Sequence, residues 1–204
     1  MGFIYSIKRF IERTLKIAII RFKDNRKELF AIEKKINSKT KILMNYVDMF
    51  NVSNYATASM IKEGDFCEVG VYKGGSAILL AELLKGRKNL YLFDKFDYIP
   101  VEEVRKMMQE YPNITIYPGL FPDTSDPIKD KKFAFVHIDV NIYEPTLACL
   151  EFFYPRIVKG GILLCHDYFG HEYPGVKKAF DEFFKDKPEL VLETLGSHCL
   201  MVKT

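Results

Sequence analysis

Glu68-Val69-Gly70-Val71-Tyr72-Lys73-Gly74-Gly75-Ser76 joins a short apolar run at 66–69 to an amphipathic run at 76–84. The stretch reads as strand, glycine turn and helix, because glycine reaches the left-handed backbone that a tight turn needs and a helix start leaves backbone N–H groups free. From Gly64 onward the same alternation repeats. Strands are expected at 66–69, 90–93, 114–117, 133–138 and 162–165, with helices at 76–84, 101–110, 146–154 and 176–184. Breakers such as Lys159-Gly160-Gly161 close these elements, and two more strand-like runs flank Gly196-Ser197. Short strands alternating with helices are the signature of parallel strands joined by helical crossovers. The expected fold is therefore α/β: a doubly wound, mostly parallel seven-stranded sheet with helices on both faces. A ligand of such a sheet sits at the carboxyl ends of the strands, where the strand order reverses.

Upstream of this unit the pattern differs. Ile4, Ile7, Ile11, Leu15, Ile19 and Phe22 recur at helical spacing, while Lys8, Arg9, Arg13, Lys16 and Arg21 fill other faces. The first 30 positions hold eight Lys and Arg against three acids, Glu12, Asp24 and Glu28. A second helical stretch is expected over 27–50, with Leu29, Ile32, Ile36, Leu43 and Val47 as its apolar stripe, broken or bent near 37–40 and followed by a turn at 51–54. Residues 1–54 are read as an N-terminal helical extension and residues 55–204 as the ligand-binding domain. For the basic helix at 1–22, a lid or homo-oligomer contact is favoured over attachment to a membrane surface and over simple packing.

Composition narrows the field. A chain of 204 residues, 48% hydrophobic and 14% aromatic, has material for one compact core and no separate substrate domain. With 30 basic against 27 acidic residues the net charge of +3 speaks against a general nucleic-acid partner. Cys67, Cys149, Cys165 and Cys199 occur singly, without the paired spacing of a structural zinc site or a redox dithiol. The longest early apolar stretch, 17–20, is far short of a membrane span. A reducing, cytoplasmic location is the default expectation.

Chemistry concentrates at four points. The glycine stretch lacks the second glycine of a dinucleotide fingerprint, having Tyr72 there, and Glu68 would repel a pyrophosphate, so NAD is disfavoured. An acid before the turn suits a ligand bearing an ammonium group, as S-adenosylmethionine does. Asp94, closing the second strand, is placed to accept hydrogen bonds from ribose hydroxyls. The run His137-Ile138-Asp139-Val140-Asn141-Ile142-Tyr143-Glu144-Pro145-Thr146 ends the fourth strand, and His166-Asp167-Tyr168 ends the fifth. Asp139, His166 and Asp167 are thus brought to one edge, as a metal site or an acid/base group. Plainer readings compete: a turn serving only strand-to-helix packing, aspartates that cap helices, and a structural histidine. His137 is expected to pack within its strand, and His171 and His198 have no identifiable partner.

Taken together, residues 64–82, Asp94, the run Gly119-Leu120-Phe121-Pro122-Asp123-Thr124, residues 137–154, Pro155, Gly160-Gly161, Asp167-Tyr168 and Pro174-Gly175-Val176 resemble the macrocin O-methyltransferase family. That family belongs to the class I S-adenosylmethionine-dependent methyltransferases, and the resemblance covers about residues 60–185 in consistent order. It implies a Rossmann-like fold, methyl transfer to a sugar or similar hydroxyl, and often a bound magnesium ion. By position, Glu68, Gly70, Tyr72, Gly74, Gly75 and Ser76 hold the cofactor's methionine end, Asp94 its ribose, and Asp139 a metal. Two positions depart from the pattern. Asn141 stands where the family has a second Asp proposed as base, and His166 stands where it has the first Asp of Asp-Asp-Tyr.

An amide takes no proton, so base function is expected to pass to His166, with Asp139 beside it. Asp139, His166 and Asp167 are the expected ligands if a divalent metal, Mg, Mn or similar, is bound. The leading expectation is an O-methyltransferase acting on a small-molecule acceptor such as a sugar, whose ring would suit the aromatic loops carrying Phe96, Tyr98, Phe169 and Tyr173. The alternatives are a cofactor-binding protein with reduced catalysis, which Asn141 would permit, and a metal-independent N-methyltransferase.

Overall fold

The structure is a computed structural model and describes residues 27–41, 43–169 and 172–204. The basic helix expected at 1–22 and His171 lie outside the described residues. Two helices come first, α1 (Lys27–Lys39) and α2 (Tyr46–Ser59). The alternating unit follows: β1 (Asp65–Val69), α3 (Gly75–Leu84), β2 (Leu90–Asp94), α4 (Val101–Met108), β3 (Ile114–Pro118), a 3-10 turn at Asp126–Ile128, β4 (Phe133–Ile138), α5 (Tyr143–Phe153), β5 (Ile157–Cys165) and α6 (Pro174–Phe184). The antiparallel pair β6 (Val191–Glu193) and β7 (Cys199–Val202) closes the chain.

The seven strands form one sheet in the order β3-β2-β1-β4-β5-β7-β6, with β7 inserted antiparallel to its neighbours on both sides. The expected doubly wound, mostly parallel architecture is what the chain adopts. Strand order reverses between β1 and β4, so their carboxyl ends flank the crevice where such folds bind ligands. Alternation along the strands supplies two cores. Phe66, Leu90, Leu92, Phe135, Ile162 and Leu164 meet α1 to α4 on one face. Cys67, Val69, Phe93, Val136, Ile138 and Leu163 meet α5 and α6 on the other. Strands buried on both faces read as continuous apolar runs, which is why Phe133–Ile138 is buried throughout, its one histidine included.

Of the local expectations one holds and two are corrected. The break or bend expected near 37–40 is a break, where Asn45 caps a new helix by accepting the N–H groups of Val47 and Asp48 at 2.8 and 3.1 Å. The turn foreseen at 51–54 lies inside α2, where Asn51 and Ser53 are buried polar residues of a helix packed on the sheet. Lys159-Gly160-Gly161 does not end an element. β5 runs through it, with a shift in its register to β4 that Gly160, at φ +76°, absorbs. No helix among the described residues is long and apolar enough to cross a membrane.

Candidate active site

The glycine turn after β1 is built by close approach. Gly70 has φ +93°, its N–H donates to the Phe93 carbonyl at 2.8 Å, and a Cβ there would lie 1.9 Å from the Asp139 carbonyl oxygen. Only glycine lets β1 and β4 leave the sheet side by side. The Asp94 carboxylate then fastens the turn: Oδ2 accepts the N–H groups of Val71 and Tyr72, both at 2.7 Å, and Oδ1 accepts that of Phe96 at 2.6 Å. An open cavity of about 1000 Å³ begins here, its wall including Gly70, Tyr72, Gly75, Ser76 and Asp94.

Two residues expected to hold the ligand do not line this cavity. Glu68 is fully buried, with Oε1 2.8 Å from His137 Nδ1 on the neighbouring strand and Oε2 without a hydrogen-bond partner. Side chains alternate along a strand, and β1 and β4 pair Glu68 with His137, so the acid faces the sheet's interior and not the crevice. Gly74 caps α3 in the left-handed conformation, and a Cβ there would lie 3.6–3.7 Å from the side chains of Val104, Met107 and Met108. His137 packs in its strand.

The polar end of the cavity gathers Asp139, Asn141, His166 and Asp167 from the ends of β4 and β5. Asn141 and Asp167 have φ of +65° and +61°, a strained region for non-glycine residues and one often found at functional sites. His166 Nδ1 lies 3.4 Å from Asp139 Oδ1 and 3.2 Å from Asp167 Oδ1. In the orientation that satisfies its neighbours, the Asn141 amide donates to Asp139 Oδ1 at 3.1 Å and to Asp167 Oδ2 at 2.8 Å. Burial by itself would lower the His166 pKa, but the surrounding carboxylates of Asp139, Asp167 and Asp48 outweigh it and push it up to about 12. For Asp139 burial pushes the carboxyl up, the adjacent His166 pulls it further down, and the net shift is downward.

Two contributors were not foreseen. Asp48 from α2 and His198 from the turn before β7 stand behind His166, with Asp48 Oδ2 3.7 Å from His166 Nε2 and Asp48 Oδ1 3.3 Å from His198 Nδ1. Burial lowers the His198 pKa to about 4 against the pull of Asp48, so this ring is neutral. The available signal was an acid between Val47 and Met49 on a helix; nothing local marks its partner. Of the four loop aromatics, Tyr98 and Tyr173 line the cavity, while Phe96 packs on the core and Phe169 on Tyr168. Leu43, Leu120 and Ile142 add exposed apolar surface to the cavity wall, and Lys41, Lys73 and Lys95 add charge.

Asp139, His166 and Asp167 each offer one ligand atom, and these atoms lie within 4.8 Å of one another. The nitrogen-to-oxygen spacings of 3.2–3.4 Å are longer than good hydrogen bonds, and the buried His166 Nδ1 makes none. For ligands about 2.0–2.2 Å from a common ion, separations of about 3 Å are the edges of the coordination shell. One nitrogen and two carboxylates therefore fit a divalent cation.

Residues 67–168 match a family model described as a methyltransferase domain. Among curated proteins, the 8-demethyl-8-(2,3-dimethoxy-alpha-L-rhamnosyl)-tetracenomycin-C 4'-O-methyltransferase of Streptomyces olivaceus is 25% identical over 138 residues, 52% of this chain and 53% of that protein. The demethyldecarbamoylnovobiocin O-methyltransferase of Streptomyces niveus is 27% identical over 153 residues, 59% of this chain and 58% of that one. The chain thus matches little more than half the length of these relatives. Among solved structures, the O-methyltransferase NovP superposes with TM-score 0.74 at 21% identity, covering 81% of this chain and 83% of that one. CalS11, a TDP-rhamnose 3'-O-methyltransferase, gives 0.66 at 16% identity over 89% and 96%. At these identities the structural likeness speaks for the fold alone.

Proposed function

The chain belongs to the methyltransferase-domain family, and from that premise we propose that it moves the methyl group of S-adenosylmethionine to a hydroxyl of a sugar or related small molecule. The observation that carries this reading is one cavity with two unlike ends: the glycine turn and Asp94 at one, and Asp139, Asn141, His166 and Asp167 at the other. One curated relative is named as a 4'-O-methyltransferase of a rhamnosyl-tetracenomycin and another as an O-methyltransferase, which supports a hydroxyl of a sugar or related small molecule as acceptor. Within the family we read the chain as macrocin-type, on the resemblance of residues 60–185. Four free, buried cysteines support work in a reducing compartment such as the cytoplasm.

S-adenosylmethionine would supply a methyl group carried on its sulfonium sulfur. At its end of the cavity Gly70, Tyr72, Gly75 and Ser76 form part of the wall, the last two being the start of α3. Asp94 contributes in a way the sequence did not foretell, for its carboxylate spends three hydrogen bonds on holding the turn in shape. Oδ1, which accepts only one of them, keeps a lone pair for a ribose hydroxyl.

At the other end the residues keep a positive charge amid carboxylates. Without a metal that charge is the proton of His166, and a histidine with a pKa near 12 takes no proton from an acceptor at neutral pH. The metal-free base considered from sequence is therefore the weaker reading. Asp139, His166 and Asp167 would hold a divalent cation, which when bound lowers the pKa of an acceptor hydroxyl. One of these two carboxylates would accept the hydrogen bond of that hydroxyl and receive its proton as the methyl moves, while the Asn141 amide, donating to both, bridges them. Holding methyl and oxygen in line would give most of the acceleration.

The test is calorimetry followed by an acceptor screen. S-adenosylmethionine and S-adenosylhomocysteine are expected to bind, and NAD and ATP to stay silent; tight NAD binding with silent S-adenosylmethionine ends this reading. Methyl transfer from labelled cofactor to glycosides is expected to stop with chelator and return with Mg²⁺ or Mn²⁺. Asn141, an amide where the resembling family has an acid, favours one second reading, a cofactor-binding protein with reduced catalysis. It is sustained if the cofactor binds and no acceptor is methylated.

A further inference from the structure

We propose that Asp48, which lies outside the segment matched to the family, is the positioning residue of the site: it anchors the outer edge of the His166 ring so that Nδ1 faces Asp139 and Asp167. The inference rests on the methyl-transfer reading. Asp48 does not line the cavity, so it touches neither cofactor nor acceptor and acts only through His166.

Asp48 occupies a buried niche in which it faces two histidines, His198 Nδ1 at 3.3 Å and His166 Nε2 at 3.7 Å. Asp48 sits in the first turn of α2 and is only 3% exposed. Its Oδ2 accepts from the Asn45 amide at 2.6 Å, and its Oδ1 accepts from the Ser197 N–H at 3.2 Å and the Ser197 hydroxyl at 3.3 Å. The turn carrying Ser197 comes this close only because its neighbour is glycine: a Cβ at Gly196 would lie 2.5 Å from Asp48 Oδ1. A buried carboxylate is costly unless donors surround it. Two segments far apart in the chain provide those donors and leave Oδ2 facing His166 Nε2 at 3.7 Å, an ion-pair separation beyond hydrogen-bond range.

An imidazole has two nitrogens on one rigid ring, so holding one decides where the other points. With Nε2 against Asp48, Nδ1 falls 3.4 and 3.2 Å from the two cavity carboxylates. His198 completes the pocket, its ring edge-on to that of His166 at 4.8 Å and 68°. That wall stops the His166 ring from sliding inward. Helix α2 therefore takes part in the site through one carboxylate.

Asp48→Asn in the full chain tests this, since the amide keeps the shape and can still bond to Ser197. Mn²⁺ binding, followed by electron paramagnetic resonance with S-adenosylhomocysteine present, needs no turnover. The variant is expected to bind Mn²⁺ about 10- to 100-fold more weakly, the usual cost of losing an outer partner of a ligating histidine, while S-adenosylmethionine affinity stays within about twofold. Turnover should fall by a similar factor with little change in the acceptor KM, and the His166 ring nitrogens should shift in ¹⁵N spectra. A variant that matches the wild type in Mn²⁺ affinity, turnover and ring resonances overturns the proposal. Where the wild type binds S-adenosylmethionine but no Mn²⁺, the ring resonances alone decide, moved in support and unmoved against. A wild type that binds no S-adenosylmethionine ends the methyl-transfer reading, and the same resonances still decide whether Asp48 positions the ring. If Asp48→Asn does not fold, Asp48→Ser, smaller and able to accept from Ser197, is read in the same way.

Discussion

Three carboxylates around one imidazole leave His166 little choice of charge. Desolvation would strip its proton, yet Asp139, Asp167 and Asp48 lie near enough to reverse that effect. Removing the ring leaves those carboxylates to repel one another and any oxygen that gains negative character beside them. His166→Ala should therefore lower kcat by about 10² or more with cofactor affinity almost unchanged; full turnover with a true acceptor would return the histidine to a structural role. Asp94 makes the converse case, at the cofactor end. Asp94→Ala frees three backbone N–H groups and loosens the turn as well as removing the proposed ribose acceptor. S-adenosylhomocysteine binding, measured by calorimetry, should weaken by about 1–3 kcal/mol, and an unaltered affinity would show that neither the turn nor the ribose depends on that carboxylate.

The exit geometry of each element fixes which groups it delivers to the cavity. β1 and β4 diverge at Gly70 and Asp139, whose backbones approach more closely than a Cβ at position 70 would permit. Gly70→Ala forces a Cβ into the Asp139 carbonyl from a backbone at φ +93°. The strain and overpacking together should cost about 3 kcal/mol or more, seen as a lower melting temperature and a displaced Asp139. A variant that melts like the wild type would mean that the two strand ends part easily. α2 and β7 matter for a different reason. Neither belongs to the alternating pattern that identifies the fold, yet α2 carries Asp48 and the turn into β7 carries Ser197 and His198. Helical periodicity is a poor guide here, because the polar faces of Asn51, Ser53 and Asp48 point at the sheet's edge and its turn and not at water.

Across the whole molecule, the two histidines at the site give stability opposite slopes with pH. His166, raised in the folded state to about 12, contributes fully below the unfolded histidine pKa of about 6.5 and loses that contribution as pH climbs. His198, lowered to about 4, contributes fully above about 6.5 and loses it as pH falls toward 4. Asp48 and Asp139, both depressed, add their share above the usual carboxylate pKa and lose it only in stronger acid. Melting temperature in the presence of chelator should thus peak between about pH 6 and 7. His198→Gln should flatten the acid side, and a divalent cation, replacing the proton on His166, should flatten the alkaline side. A melting temperature that rises steadily from neutrality to pH 9 without metal would contradict this balance.

The sequence by itself determined the order of strands and helices, the glycine turn, and the arrival of Asp94, Asp139, His166 and Asp167 at one edge of the sheet. These follow from periodicity, turn chemistry and the parallel topology, which are local or depend on connection rules alone. It also marked Asn141 and His166 as departures. What only the tertiary structure decided is which way side chains face and what they meet. Glu68 pairs with His137, 69 positions on, because the register of β1 on β4 sets them opposite. Gly74 turns toward α4 because the helix start must cap itself. Asp48 finds Ser197 at a distance of 149 positions, and no spacing in the chain announces it. Such contacts come from packing one layer on another, where the partner of a buried charge is chosen by the folded neighbourhood and not by the residues next to it in sequence.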